Sequence, residues 1–562
     1  MSEFSAPHHT AVAQLTGPGA PFEVIIHEQN GVGVKAFKNA PKSLVEVLEP
    51  GRAFKEKPFL QYMGDSYTFD SFFEAADKLA ASLQADFDIQ ARDRVAIAMR
   101  NRPEWLVAFV AIIHCGATVV PLNSWGRSEE LHQGLSDSEA KIVICDADRL
   151  HFIRSAGDTL PAIVVEPDAK ESATVLFWDT INTAKVEGFI KPEIQPTDPA
   201  ILLFTSGTSG RPKGAMFSHF NCCQALMNVE FIGAATYMTN TETMNRQLAS
   251  PVPPKTLLAV PLFHISGLFS QFIINCRHGR GLYMMYKWNA EEAAKLVRDE
   301  KITVLMGASA MLLDLLLHED FQDVDPSVIT NVSAGGGATP GKLHDLYDEK
   351  LSSAMPGAGW GLTETGGTGA AFTGYMVTAR PGASGFPSPI VEFKFCDEEG
   401  KEVETGTPGE IWVKSSTCIQ SYFSGAKDSS DFHEGWFKTG DVGYFNEDGL
   451  LYICDRVKDM IIRGGENIYP VEVENCLLQF PGCAEAAVVA IESDRFGEEP
   501  AAVIRLHAGH EHLTSEDVIR FCKEHLAGFK VPVEVKFTAT PFPRTATEKL
   551  IKAEIKRTYF SK

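Results

Sequence analysis

FDSFFEAADKLAASLQ (Phe69–Gln84) is followed by RVAIAM (Arg94–Met99), ATVVPLN (Ala117–Asn123) and AKIVICD (Ala140–Asp146). The first segment carries the spacing of a helix and the others are short β-rich runs. Their alternation from about Thr68 to Val165 predicts parallel sheet with covering helices. The rhythm resumes in TLLAVPLF (Thr256–Phe263), the helix-like AEEAAKLVRDE (Ala290–Glu300), ITVLMGAS (Ile302–Ser309) and ITNVSAGGG (Ile329–Gly337), so two related α/β layers are expected within one large domain. Within the first of these, Trp105 to Val120 is strongly apolar but is broken by His114 and Gly116 and closed by Pro121. It is too short and interrupted for a membrane span and reads as a buried helix feeding a strand.

After Gly382 the texture changes to short strands and turns: VEFKFCDEEGKEV (Val391–Val403), GEIWVKS (Gly409–Ser415) and DVGYFNEDGLLYICD (Asp441–Asp455), where Asp448-Gly449 signals a hairpin. DRVKDMIIRGGENIYP (Asp455–Pro470) leads into a helix with Val473, Cys476, Leu477 and Phe480 on one face. A strand, EAAVVAI, a helix starting near Ser515 and a strand, VEVKFTA, complete a compact α+β unit. The expected fold is α/β: a large N-terminal domain of two doubly wound subdomains plus a small β-barrel-like unit, then a smaller α+β C-terminal domain. Residues 1–20 read as a flexible tail, 21–457 as the large domain and 458–562 as a small mobile domain with a hinge near Lys458.

Bulk properties narrow the chemistry. A chain of 562 residues exceeds one ordinary core, and 44% apolar with 22% charged residues is usual for a globular protein. The net charge of -22 argues against a nucleic-acid surface. The 11 cysteines show no CxxC pair and no zinc spacing, and they read as small buried hydrophobes in a reducing cytosol. The start lacks the pattern of a signal peptide and the end matches neither a lipidation signal nor the usual peroxisomal tripeptide, so a cytoplasmic location is expected.

TSGTSGRPKG (Thr205–Gly214) follows the strand-like run AILLF. Its glycines let the backbone bend around an anion, while amide N–H groups, hydroxyls and the Lys213 ammonium point inward, which fits a triphosphate. It is not a Walker A loop, because Lys213 lies three residues past Gly210 and Gly214 follows it.

The longer string FTSGTSGRPKGAMFSH resembles the phosphate loop of the adenylate-forming superfamily of acyl-CoA synthetases, luciferases and peptide-synthetase adenylation domains, and further segments of that superfamily recur in order from about Ser43 to Ile555. The resemblance implies that Thr205, Ser206, Gly207, Thr208, Ser209, Gly210, Arg211 and Lys213 hold ATP phosphates. In PLFHISG, His264 would sit beside the substrate carboxylate, and Phe263, Met306, Gly307, Ala308 and Met311 would line an apolar acyl pocket. SAGGGATP would place Gly335, Gly336 and Gly337 against adenine. In GWGLTETGG, Trp360 (Tyr in most relatives) and Gly361 would face the base, Thr363 the α-phosphate, and Glu364 a magnesium ion. Asp441 would accept from the ribose hydroxyls, with Arg456 contacting ribose or phosphate.

Lys549, in PRTATEKLIK, would bridge the attacking carboxylate and the phosphate, although Glu548 stands where relatives carry Gly. Gly464, Gly465 and Glu466 would admit the pantetheine arm of coenzyme A, and Lys523 and Lys530 could attract its phosphates. The implied activity is ATP- and magnesium-dependent activation of a carboxylic acid, with a fatty acid as the expected type, followed by thioesterification to coenzyme A. A stand-alone adenylation enzyme loading a carrier-protein thiol and a catalytically silent nucleotide-binding homologue are the alternatives. The expected partners are small molecules, no nucleic acid and no transmembrane segment, with a homodimer allowed.

Overall fold

The structure is a computed structural model that describes residues 2–166, 174–205, 212–335, 341–423, 430–545 and 549–561. Two large sheets dominate it. The first has eight strands, with Arg94–Ala98, Thr118–Pro121, Ile142–Cys145, Ala162–Val164 and Thr174–Leu176 all parallel and the hairpin Pro199–Thr205/Lys213–Ser218 towards the other edge. The second has nine strands. Its parallel centre is Gly281–Met284, Lys255–Leu258, Val304–Gly307, Asn331–Ala334 and Met355–Trp360.

Sequence patterning explains what lies between the sheets. The helix Pro103–His114 is apolar all round and every residue in it is buried, as a helix sandwiched on both sides requires. Its neighbour Phe69–Ala85 begins with a capping box at Thr68 and Ser71 and buries Phe72, Ala76, Leu79 and Leu83. Phe109 meets Phe272 edge to face at 5.9 Å, tying the first core to the second sheet.

A five-stranded antiparallel sheet follows, from Val391–Cys396 to Leu451–Arg456, with the hairpin turning at Gly449 as Asp448-Gly449 foretold. From Ile461 onward the chain builds a separate sheet around Cys483–Ser493 and Gly497–Leu506, with its own core of Val473, Leu477, Val488, Ile504 and Val518. The α/β expectation and the α+β character of the last hundred residues both match this architecture.

The N-terminal stretch differs from the sequence expectation. Residues Ala6–Thr16 form a helix, with Ala11 buried and His8 stacked on Phe386 at 4.0 Å between centroids. Its weak periodicity hid it, because docking onto residues nearly four hundred positions away supplies what local pattern does not.

Candidate functional site

In the nine-stranded sheet Lys255–Leu258 has Gly281–Met284 on one side and Val304–Gly307 on the other. The strand order reverses there, and such switch points open a crevice beyond the carboxyl ends of the strands. The segment Pro261–Gly267 emerges at that edge. A cavity of about 1530 Å³ occupies the crevice, and its lining includes Thr205, Lys213, His264, Gly335, Trp360, Gly361, Thr363, Glu364, Arg456 and Lys549. Residues separated by more than three hundred positions therefore share one space.

Thr205 stands opposite Lys213 in an antiparallel pair, so the phosphate-loop segment closes a hairpin. Ser206, Gly207, Thr208, Ser209, Gly210 and Arg211 lie outside the described residues, as do Gly336, Gly337 and Glu548. The Lys213 ammonium pairs with Asp431 at 2.7 Å and sits 4.7 Å over the Tyr422 ring. Tyr422 in turn donates to Glu364 Oε1 at 3.1 Å. Burial pushes the Tyr422 phenol up, and the nearby Glu364 and Asp431 carboxylates add to the shift, so the phenol remains a donor. Sequence reading missed Asp431 and Tyr422, since neither lies in a distinctive string.

Asp441 faces Arg456 across the antiparallel pair Trp436–Phe445/Leu451–Arg456, and that register delivers an ion pair from Arg456 Nε to Asp441 Oδ1 at 2.8 Å. The Trp360 indole N–H donates to the other oxygen, Oδ2, also at 2.8 Å. Each carboxylate oxygen keeps a free lone pair for a further donor. Trp360 also leans on Phe393, at 5.6 Å between centroids, while lining the cavity. A Cβ at Gly361 would come within 2.4 Å of the Gly367 carbonyl, so only glycine fits there.

Lys549 has no hydrogen-bond or ion-pair partner for its ammonium among the described residues. Burial depresses its pKa and the neighbouring Arg456 adds to the effect, while Asp441 and Glu364 pull the other way. His264 is half-buried, with its Nε2 atom buried and unpartnered, and desolvation, helped by Lys549, lowers its pKa to about 3, so the ring is neutral. An unpaired ammonium beside a neutral imidazole is suited to pairing with an anion.

Magnesium prefers one or two carboxylates plus phosphate oxygens and water. Glu364 offers a buried carboxylate with Oε2 uncommitted, and no group of three metal-binding side chains occurs among the described residues. That donor set fits an ion arriving with a phosphate ligand.

The cavity continues down one face of the nine-stranded sheet. Val304 and Met306 face it while Leu305 packs into the opposite core, and Asn331 and Ser333 alternate with Val332 in the same way. The facing wall is the helix His219–Thr239, through Val229, Glu230, Gly233 and Thr236, and the π-helical turn Ser266–Ile273, through Ser266, Ser270 and Gln271. Phe263, Gly307, Ala308 and Met311 line its upper part as the sequence implied. Gly464, Gly465 and Glu466 do not reach the cavity and are exposed. The first two turn the hairpin Ile461–Arg463/Glu466–Ile468 with φ of 60° and 92°. Lys458 lies in the single turn Val457–Asp459 that joins the two parts of the chain.

A phosphate-loop lysine, a carboxylate held by arginine and indole, and a lone lysine delivered by the C-terminal sheet unit together define a nucleotide-binding α/β protein. The family profile described as AMP-binding enzyme matches residues 49–423, and that of the AMP-binding enzyme C-terminal domain matches residues 472–549. The chain belongs to this family, the adenylate-forming superfamily. A long-chain-fatty-acid–CoA ligase of Escherichia coli is 30% identical over 550 residues, covering 92% of this chain and 94% of that protein. A 2-succinylbenzoate–CoA ligase of Bacillus licheniformis is 31% identical, covering 87% and 94%. Among solved structures, O-succinylbenzoate coenzyme A synthetase from Bacillus subtilis in complex with ATP and a magnesium ion superposes with a TM-score of 0.74 at 28% identity, covering 91% of this chain and 98% of that one. No helix among the described residues is long and apolar enough to cross a membrane.

Proposed function

We propose that the protein is an AMP-forming acid:CoA ligase that condenses a carboxylic acid with ATP to an acyl-adenylate and then transfers the acyl group to the thiol of coenzyme A. The observation that carries this reading is the unpaired Lys549 ammonium, held in the same cavity as Glu364, His264 and Arg456, with Asp441 paired to Arg456 behind the lining. The curated relatives named as CoA ligases, matched over nearly their full lengths, support it.

Joining a carboxylate to the α-phosphorus gathers negative charge, and fixed cations in a dry cleft lower that barrier. Lys549 bridges the attacking carboxylate and an α-phosphate oxygen, and Thr363 donates to a second oxygen. Asp441 accepts from the ribose hydroxyls, oriented by Arg456 and Trp360. Lys213 exchanges Asp431 for the β- and γ-phosphates. Neutral His264 packs against the carboxylate without adding charge. Glu364, together with the phosphates, would hold the magnesium ion, which when bound would supply positive charge against the departing pyrophosphate. The apolar middle of the channel, around Phe263, Met306, Ala308 and Met311, favours a long aliphatic or arylalkyl acid of the fatty type.

The test is acid-dependent release of pyrophosphate from ATP with a panel of acids, followed by thioester formation with free coenzyme A or a phosphopantetheinylated carrier protein. Acid-dependent pyrophosphate and acyl-CoA are the expected products. ATP binding without any acid-dependent turnover would overturn the reading, and carrier loading without acyl-CoA would reassign the acceptor.

A further inference from the structure

The far end of the acyl channel is not apolar. Arg280 precedes the strand Gly281–Met284 at the amino edge of the sheet and lines the cavity, and its guanidinium has no hydrogen-bond or ion-pair partner among the described residues. Nearby, Glu230 is already committed to Arg277 at 2.7 Å and His278 at 2.9 Å. One positive charge is thus left over at the end of the tunnel. Burial pulls the Arg280 pKa below the usual arginine value, and the field of Glu230 offsets this in part.

Partway along the same wall, Gln271 is 1% exposed and lines the channel. Its Nε2 reaches only the Met306 carbonyl, at 3.4 Å, and its Oε1 has no partner. A plain hydrocarbon chain filling this space would strip water from the partly exposed Arg280 and return nothing, and it would leave the buried Gln271 Oε1 without a partner.

We infer that Arg280, aided by Gln271, is a specificity-determining subsite that receives a second acidic group at the distal end of the acid substrate. The inference rests on the ligase reading above and refines its substrate class to an acid with an apolar middle and an anionic tail. From the level of Gly307 to that of Arg280 the channel follows the strands for about 16 Å at ~3.3 Å per residue. The second acidic group therefore stands roughly that far from the reacting carboxyl. A guanidinium is suited to this task, since it binds carboxylate with two parallel N–H donors and stays charged even when partly buried.

The test compares length-matched pairs of ω-carboxy and ω-methyl straight-chain acids in the pyrophosphate-release assay with the full-length protein. The expected result is a kcat/KM roughly ten- to a hundredfold higher for the dicarboxylic member at the matching length. Arg280→Met is expected to remove that preference and Arg280→Lys to retain part of it, with turnover of the ω-methyl acids maintained in both. Equal or better use of ω-methyl acids by the unaltered protein would overturn the inference while leaving the ligase reading intact, and needs no variant to fold. A dicarboxylate preference that survives in folded Arg280→Met would also overturn it. Failure of every acid in both series would instead sink the ligase reading, and this inference with it.

Discussion

Lys549 concentrates the energetic tension of the site in one residue. Its folded pKa lies below its unfolded value because burial and Arg456 disfavour the charge. The unfolded chain therefore binds the proton more tightly, and the charged lysine costs some stability at neutral pH, a cost reduced by solvent screening because the residue is exposed. That cost fades as pH rises through the depressed folded pKa. Two outcomes follow for Lys549→Met: a higher melting temperature at pH 7 and a collapse of acid-dependent pyrophosphate release. In the unaltered protein the same shift places the alkaline limb of kcat/KM for adenylation, which reports the free enzyme, below the ordinary lysine value of ~10.4, because the deprotonated amine no longer neutralises the transition state. A pH–rate profile checks this, and a limb at or above that value would contradict it. A Lys549→Met protein less stable than its parent would do the same.

At the scale of elements, the channel depends on what the helix His219–Thr239 leaves out. Gly233 faces the cavity, and a Cβ placed there would meet nothing within 4 Å. Glycine inside a helix costs about 1 kcal/mol relative to alanine, so larger residues are tolerated by the backbone. Gly233→Leu is therefore expected to fold at least as well as the parent and to fill the tunnel. Activity with short acids should persist while kcat/KM for long acids falls by roughly tenfold or more. Measuring both on one acid series checks it, and a uniform loss across all lengths would point to a bent helix instead of a filled channel. The sequence announced the strands and helices well here, because turn residues and periodicity are local signals. Gln271, Arg280 and Gly233 escaped notice because three separate elements must meet before they share a wall. Lys213 and Asp431 show the same limit: the motif marked the lysine, while its partner lies 218 positions away in an unremarkable stretch.

For the whole molecule, the decisive fact is that only one of two expected visitors is in the cleft. Lys549 projects into the cavity, while the Gly464–Gly465 turn stands exposed outside it. We propose that this geometry serves the adenylation step and that rotation about Lys458 withdraws the lysine and brings the turn in for thiol attack. The two steps then place separable demands on one chain. Both turn glycines have positive φ, which two-residue hairpin turns of this kind require and which a branched side chain resists. Gly465→Val should therefore spare acid-dependent pyrophosphate release but cut acyl transfer from preformed acyl-adenylate to coenzyme A by about tenfold or more. Lys549→Ala should do the reverse, suppressing pyrophosphate release while leaving transfer from preformed acyl-adenylate within about twofold of the parent. Single-turnover assays of each half-reaction, run on both variants after melting curves establish that they fold, measure the crossing pattern directly. If both substitutions slow the same step, one static arrangement performs both chemistries and the swivelling unit has no part in them.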